Sequence, residues 1–130
     1  VMELPERSGS FMQVSGLKFK VNQAVATPVV LDGKDLFSHI GDGKRRVSDV
    51  QVLDKASGKY MPVDPERTYT LGGINYTITR MGCDGIFRYT QLLQDNIAQD
   101  VEVLATYLQM QGGKIGREYS ETQGRIFINN

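Results

Sequence analysis

The feature that most constrains the fold is one helical repeat near the end of a chain that otherwise alternates like β-strands. Within residues 100–111, the apolar residues at the spacing of one helix face are Val101, Leu104, Ala105 and Leu108. Asp100 can cap the start of this helix, and Gly112-Gly113 can end it. We expect the stripe, widened by Val103, Tyr107 and Met110, to lie in the core.

Short alternating segments precede this helix, and one more follows it. We predict strands over residues 11–14, 17–21, 29–31, 46–53, 60–63, 68–75 and 124–128, with a helical turn over 34–39. Strands, then a helix, then a strand predict an α+β fold: a mostly antiparallel mixed sheet with one main C-terminal helix. Pro62 marks an edge strand. The last strand is expected beside a central one.

Length and charge restrict the kind of protein. With 130 residues, a single domain over 1–130 is expected. A formal net charge of zero argues against a nucleic-acid partner, and the basic triplet Lys44-Arg45-Arg46 is expected to be a solvated hairpin end. We find no signal peptide and no apolar run long enough to span a membrane. Because residues 1–4 are interpreted as the end of a helix, we expect an N-terminally truncated domain.

The stretch from Tyr69 to Phe87 carries the candidate site. It is predicted to run as a strand to Asn75-Tyr76 and to end in the turn Gly82-Cys83-Asp84-Gly85. The glycines allow positive φ angles and hold the carboxylate of Asp84 on a fixed loop. An exposed aromatic followed by such an acid can bind a ring and a pair of hydroxyls. The residues alone favour an ordinary strand, loop and turn over a binding site.

Several kinds of catalytic site are excluded by the residues present. The chain has one histidine, His39, and one cysteine, Cys83. One histidine cannot supply a two-metal hydrolase centre, and a histidine-based triad could be built only around His39. The nucleophile elbow, the P-loop and the dinucleotide-binding motif are missing. We therefore assign no catalytic and no metal-binding residue, and predict that this chain alone is not a catalyst and holds no cofactor.

A set of segments, read in order, extends over residues 8–128. The segments are S-G-S-F-M-Q-V-S-G-L-K-F, R-V-S-D-V-Q-V, V-D-P-E-R-T-Y-T-L, N-Y, G-C-D-G, D-V-E-V-L-A-T-Y-L and G-R-I. Together they resemble the C-terminal domain of the 5'-nucleotidase and UDP-sugar hydrolase family. The resemblance implies a hydrolase of nucleotide catabolism, periplasmic, secreted or on the cell surface. In that family the phosphate of the nucleotide is cleaved by a metallophosphoesterase domain that carries two divalent metals. We expect this domain to be absent from these 130 residues and to lie on the same natural chain or on a separate one.

The resemblance also assigns roles to residues. In that family the C-terminal domain holds the nucleoside or nucleotide, with the base between two aromatic rings and the ribose hydroxyls on a turn acid. The aromatic that follows the family's asparagine corresponds to Tyr76, and the asparagine to Asn75. The turn acid corresponds to Asp84, between Gly82 and Gly85. A ring stack contributes roughly 1–3 kcal/mol, and a carboxylate can accept hydrogen bonds from both hydroxyls.

The chain departs from the family pattern in three ways. Cys83 stands where the family has glycine, and the loop from Tyr76 to Asp84 is longer. The second aromatic and the other substrate-contacting residues of the family would precede Val1. The alternative function is a stand-alone binding or scaffold module that kept the fold and lost nucleotide binding.

Overall fold

The computed structural model describes residues 12–34, 37–79, 87 and 90–129. These residues belong to two compact units, each described by itself below. We call Val1–Leu71 with Gly124–Asn130 the sheet unit, and Gly72–Gln123 the helical unit.

The sheet unit contains six described strands. They are β1 (Leu17–Asn22), β2 (Val29–Leu31), β3 (Phe37–Ile40), β4 (Val47–Asp54), β5 (Lys59–Pro62) and β6 (Ile126–Asn129). Four of them form a sheet in the order β5-β4-β1-β6, and β2 pairs with β3 separately. β4 is antiparallel to β1 and β5, whereas β6 is parallel to β1. The predicted α+β fold with a mostly antiparallel mixed sheet is confirmed.

β1 lies at the centre of this sheet because its alternation gives it one apolar face. Phe19 and Val21 are buried, while Lys20 on the opposite face is exposed. β6 pairs with β1 through Phe19 and Ile126, and through Val21 and Ile128. The last strand therefore lies beside a central strand, as predicted, and Pro62 lies on the edge strand β5.

The β4–β5 hairpin is closed by Asp54. Its carboxylate accepts hydrogen bonds from the backbone N–H of Ser57 at 3.0 Å and from the Ser57 hydroxyl. Gly58 completes the turn with a φ of 69°, a conformation that glycine adopts without strain. The hydroxyl of Ser57, followed by its backbone N–H, holds the pKa of Asp54 below its ordinary value. The ionised carboxylate is thus the form that the folded turn prefers.

Ser57→Ala should destabilise the protein at pH 7 and have little effect in acid. The lowered pKa of Asp54 means that its contribution to stability is present above the unfolded-state pKa of about 3.9 and is lost as the pH falls through the folded-state value. Urea unfolding at pH 7 and near pH 3 measures this difference. The exposed Ser48→Ala on β4 is the control. A Ser57→Ala loss that is unchanged in acid would contradict the assignment.

Arg46 fixes the loop after β1 to the start of β4. Its side chain is 6% exposed. Its Nε donates to the Val25 carbonyl at 2.6 Å and its terminal NH2 donates to the Gln23 carbonyl at 2.9 Å. The prediction of a solvated basic triplet is therefore correct for Lys44 and Arg45, which are exposed, and wrong for Arg46, which is buried. The two loop carbonyls account for the difference, since they give the guanidinium partners in place of water.

Arg46→Ala should lower the free energy of unfolding by about 2 kcal/mol or more, because it leaves two carbonyls without their charged donor. Arg46→Lys should recover little, since an ammonium cannot reproduce the planar fork. Urea unfolding measures both variants against Arg45→Ala, which should change stability by less than about 0.5 kcal/mol. Equal losses at positions 45 and 46 would refute this role for Arg46.

Three local predictions are wrong. Residues 68–74, predicted as most of a central strand, have no regular structure, and Asn75–Thr79 form a short helix, α1. Gly72 and Gly73 interrupt the alternation there and offer no side chains for a sheet to pack. Residues 37–39, predicted as helical, belong to β3, which pairs with β2. Residues 12–14 form no strand; Phe11, the other residue of that predicted strand, lies outside the described residues.

The helical unit contains the predicted main helix, α2, over Asp100–Met110. The prediction that Asp100 caps this helix is wrong, because the N-cap is Gln99. The Gln99 N–H donates to the Glu102 carboxylate at 3.1 Å. At the other end, the Gly113 N–H donates to the Leu108 carbonyl at 2.9 Å. Gly112 and Gly113 have φ angles of 75° and 76°, so the two glycines end the helix as expected.

The apolar stripe of α2 is not in a core, contrary to the prediction. No residue of this helix is buried, and Met110 is 77% exposed. Tyr107 contacts Tyr119 of the 3-10 turn Arg117–Tyr119, edge to face with ring centroids 6.5 Å apart and with their hydroxyls hydrogen-bonded. Capping interactions are present at both ends of this helix, while none of its residues is buried.

Candidate functional site

Tyr76, the residue predicted to stack on a base, lies in the second position of α1. Its side chain is 55% exposed. On the same turn, the Ile78 N–H donates to the Ile74 carbonyl at 3.1 Å. A Cβ added to Gly73 would lie 2.9 Å from Ile78 Cδ1, so Ile78 occupies the space that a larger residue at 73 would need. The helix thus keeps Ile78 against the backbone and leaves the ring of Tyr76 accessible.

The remaining predicted site residues fall into two groups. Asn75 is exposed and begins α1, directly before Tyr76. Gly82, Asp84 and Gly85, predicted to form the ribose-binding turn, lie outside the described residues. The structure therefore brings Asn75 and Tyr76 together on one helix, and the position of the turn relative to them stays a prediction.

Another tyrosine of the same stretch has a structural role. In the sheet unit, the hydroxyl of Tyr69 accepts a hydrogen bond from the Asp64 N–H at 3.0 Å. The Arg67 guanidinium lies over its ring, 5.4 Å from the centroid. The Arg67 N–H also donates to the Asp64 carbonyl at 3.2 Å. Tyr69 is therefore held by the turn that follows β5, and the Arg67 guanidinium already lies over its ring face.

A cavity of about 380 Å³ was not anticipated from the sequence. It lies in the sheet unit, between residues 24–28 and 42–44, and its ionisable side chains are Asp42 and Lys44. Thr27 accepts a hydrogen bond from the Val29 N–H at 3.2 Å through its hydroxyl oxygen, which fixes one wall. Two loops distant in sequence form this cavity, so the glycine cluster around Asp42 was its only sequence signal.

The described residues do not fit a two-metal centre. Among them, no three histidine, cysteine, aspartate or glutamate side chains come together as a metal site. His39 is exposed, and its Nδ1 lies 3.1 Å from the hydroxyl oxygen of Ser38. We derive no reaction step from a metal in this part of the protein. No helix in the described ranges is long and apolar enough to cross a membrane.

Comparison with known proteins places this sequence in a family. The family model described as "5'-nucleotidase, C-terminal domain" matches residues 1–93. The chain therefore belongs to the 5'-nucleotidase C-terminal domain family, which confirms the resemblance drawn from its motifs. The match includes Asn75, Tyr76 and Asp84, whereas α2 and β6 lie beyond it. Searches of curated proteins and of solved structures found no match.

Proposed function

We propose that this chain recognises the nucleoside part of a nucleotide for a 5'-nucleotidase-type phosphohydrolase of nucleotide catabolism. Tyr76 stacks on the base and Asp84 accepts hydrogen bonds from the ribose hydroxyls, with Gly82 and Gly85 shaping the turn and Asn75 beside the ring. Phosphate cleavage belongs to a metal-dependent metallophosphoesterase domain outside these 130 residues. We propose that the protein is periplasmic, secreted or located on the cell surface.

The observation that carries this proposal is the accessible ring of Tyr76, directly after Asn75 and within the residues matched by the family model. A buried Tyr76 would leave no aromatic surface for a base. Stacking tolerates different bases because every base presents a π face. The ring alone therefore supports recognition of nucleosides as a class.

The test is a titration with adenosine and with 2',3'-dideoxyadenosine, followed through the NMR signals of the Tyr76 ring. We expect saturable shifts with adenosine and weaker binding of the dideoxy analogue. In Asp84→Asn the two ligands should bind more nearly alike, because the ionised acceptor of the hydroxyls is gone. Absence of any shift at millimolar adenosine, in a protein that also carries the preceding segment with the second aromatic, would refute the proposal.

The alternative function is a binding or scaffold module that keeps the family fold without binding nucleotides. The motivating feature is Cys83, in the turn where the family has glycine. This alternative predicts no adenosine response in the wild-type chain and a gain of binding in Cys83→Gly with a shortened loop. The same titration distinguishes the two functions.

A further inference from the structure

The two edges of the four-stranded sheet differ in their protection against another strand. At the β5 edge, the Val63 N–H donates to the Val50 carbonyl at 3.1 Å. Residues of a strand direct their backbone groups alternately to one side and the other. The backbone groups of Val63 therefore point toward β4, and those of Pro62 point away from it. Pro62 has no N–H to offer there, and Lys59 adds a charge, so this edge is poorly suited to accept a strand.

The β6 edge has neither a proline nor a charge. Ile126–Asn129 reads I-F-I-N, and among the described strands β6 pairs with β1 alone. The Phe19 N–H donates to the Arg125 carbonyl at 3.0 Å, and the Gln23 N–H donates to the Asn129 carbonyl at 2.9 Å. Because alternate residues of a strand face opposite sides, Ile126 and Ile128 direct their backbone groups away from β1.

The side chains of β6 are apolar on both faces of the sheet. Ile126 and Ile128 are in register with Phe19 and Val21, so they lie on the face that carries the buried residues of β1. Ile128 is nevertheless 46% exposed, and Phe127 on the opposite face is 56% exposed. Among the described residues, no strand lies against the outward backbone groups of β6, and its side chains are mostly apolar.

We propose that β6 is a dimerisation edge, on which β6 of a second copy of this chain pairs antiparallel about a twofold axis at Phe127. The segment Ile-Phe-Ile reads the same in both directions. In this register, Phe127 lies opposite Phe127 of the second copy. Ile126, whose backbone groups point outward, then lies opposite Ile128 of the second copy, and their backbones form hydrogen bonds. This proposal is independent of nucleoside binding.

Three physical features favour a second copy as the occupant. A twofold axis perpendicular to the sheet keeps the apolar faces of both copies on the same side, as an isologous interface requires. Phe127 forms a cross-strand aromatic pair with its symmetry mate. β6 carries no charge, so self-pairing brings no like charges opposite each other within the strand.

The first test is the molecular mass of the 130-residue chain by sedimentation from micromolar to near-millimolar concentration. The mass should rise from the 14.5 kDa of one chain toward twice that value. Ile128→Pro removes a backbone N–H that points outward, just as Pro62 lacks one on β5. It leaves in place the hydrogen bonds that the carbonyls of Arg125 and Asn129 accept from Phe19 and Gln23. It should weaken association at least about tenfold. Ile128→Val keeps the N–H and should dimerise like the wild type.

A chain that stays at 14.5 kDa throughout, or an Ile128→Pro variant that dimerises as well as the wild type, would overturn the proposal. If Ile128→Pro does not fold, amide exchange of the wild type decides. The Ile126 and Ile128 amides should exchange more slowly as concentration rises, while that of Phe127, which faces β1, should not change in this way. Exchange that is independent of concentration, or slowed only by an added extended peptide, would also overturn it.

Discussion

Tyr76→Ala should raise the dissociation constant for adenosine by about 5- to 150-fold, because an aromatic ring stacked on a base contributes roughly 1–3 kcal/mol. The side chain is 55% exposed on α1, so its truncation removes little packing. The free energy of unfolding should therefore change by less than about 0.5 kcal/mol. Calorimetric or NMR titration, alongside urea unfolding, separates the loss of binding from any loss of folding.

Two matched variants make this result specific. Tyr76→Phe keeps the ring and should bind adenosine within about threefold of the wild type, since stacking requires the ring rather than the hydroxyl. Tyr119→Ala removes another exposed tyrosine of the helical unit, one that contacts Tyr107, and should leave binding unchanged. If Tyr119→Ala weakened binding as much as Tyr76→Ala, a role of Tyr76 in stacking would be excluded.

Phe19→Ala should lower the free energy of unfolding by about 3–5 kcal/mol, the usual cost of truncating a buried phenylalanine. Phe19 is buried at the centre of the sheet, between β4 and β6. Its removal leaves a cavity that neighbouring strands cannot close without disturbing their ladders. Thermal unfolding should show a midpoint lower by about 10–20 °C, and urea unfolding gives the free energy directly.

Phe127→Ala is the matched control, since it makes the same truncation on the adjacent strand. Its side chain is 56% exposed and lies on the other face of the sheet. At low micromolar concentration, where chains are single, it should cost less than about 1 kcal/mol. Similar losses at positions 19 and 127 would mean that the core is not on the Phe19 face of β1.

Much of the sheet could be predicted from sequence because its signals are local. In β1, lysines alternate with apolar residues, so the pattern gives both the strand and its buried face. The β4–β5 hairpin follows from Ser57-Gly58 between two alternating segments, and Pro62 identifies its edge. The ends of α2 were predictable for the same reason, since Gly112 and Gly113 act on the residues next to them.

The errors arise where structure depends on partners distant in sequence. β3 is a strand because it pairs with β2, and its own residues do not alternate clearly. Alternation over residues 68–75 predicted a strand, but Gly72 and Gly73 offer no side chains that could pack in a sheet. The stripe of α2 has core periodicity, yet none of its residues is buried in the structure.

The sequence names the residues of the proposed site and leaves its geometry open. The motif order points to Asn75 and Tyr76 but does not predict the helix that carries them. A distance between Tyr76 and Asp84 depends on a glycine-containing loop, whose path no local pattern fixes. The cavity beside Asp42 shows the same limit, because converging loops leave only a composition signal in the sequence.

The parallel pairing of β1 with β6 sets an order in which the protein can form during synthesis. β1, β4 and β5 leave the ribosome before β6 does and can associate through antiparallel contacts in the meantime. Until β6 is made, the flank of Phe19 and Val21 has no neighbouring strand on that side. Contacts between distant segments form slowly and leave apolar surface open to aggregation. A ribosome that stalls before Arg125 would release a three-stranded sheet with this flank uncovered, a species that chaperones or proteases would recognise.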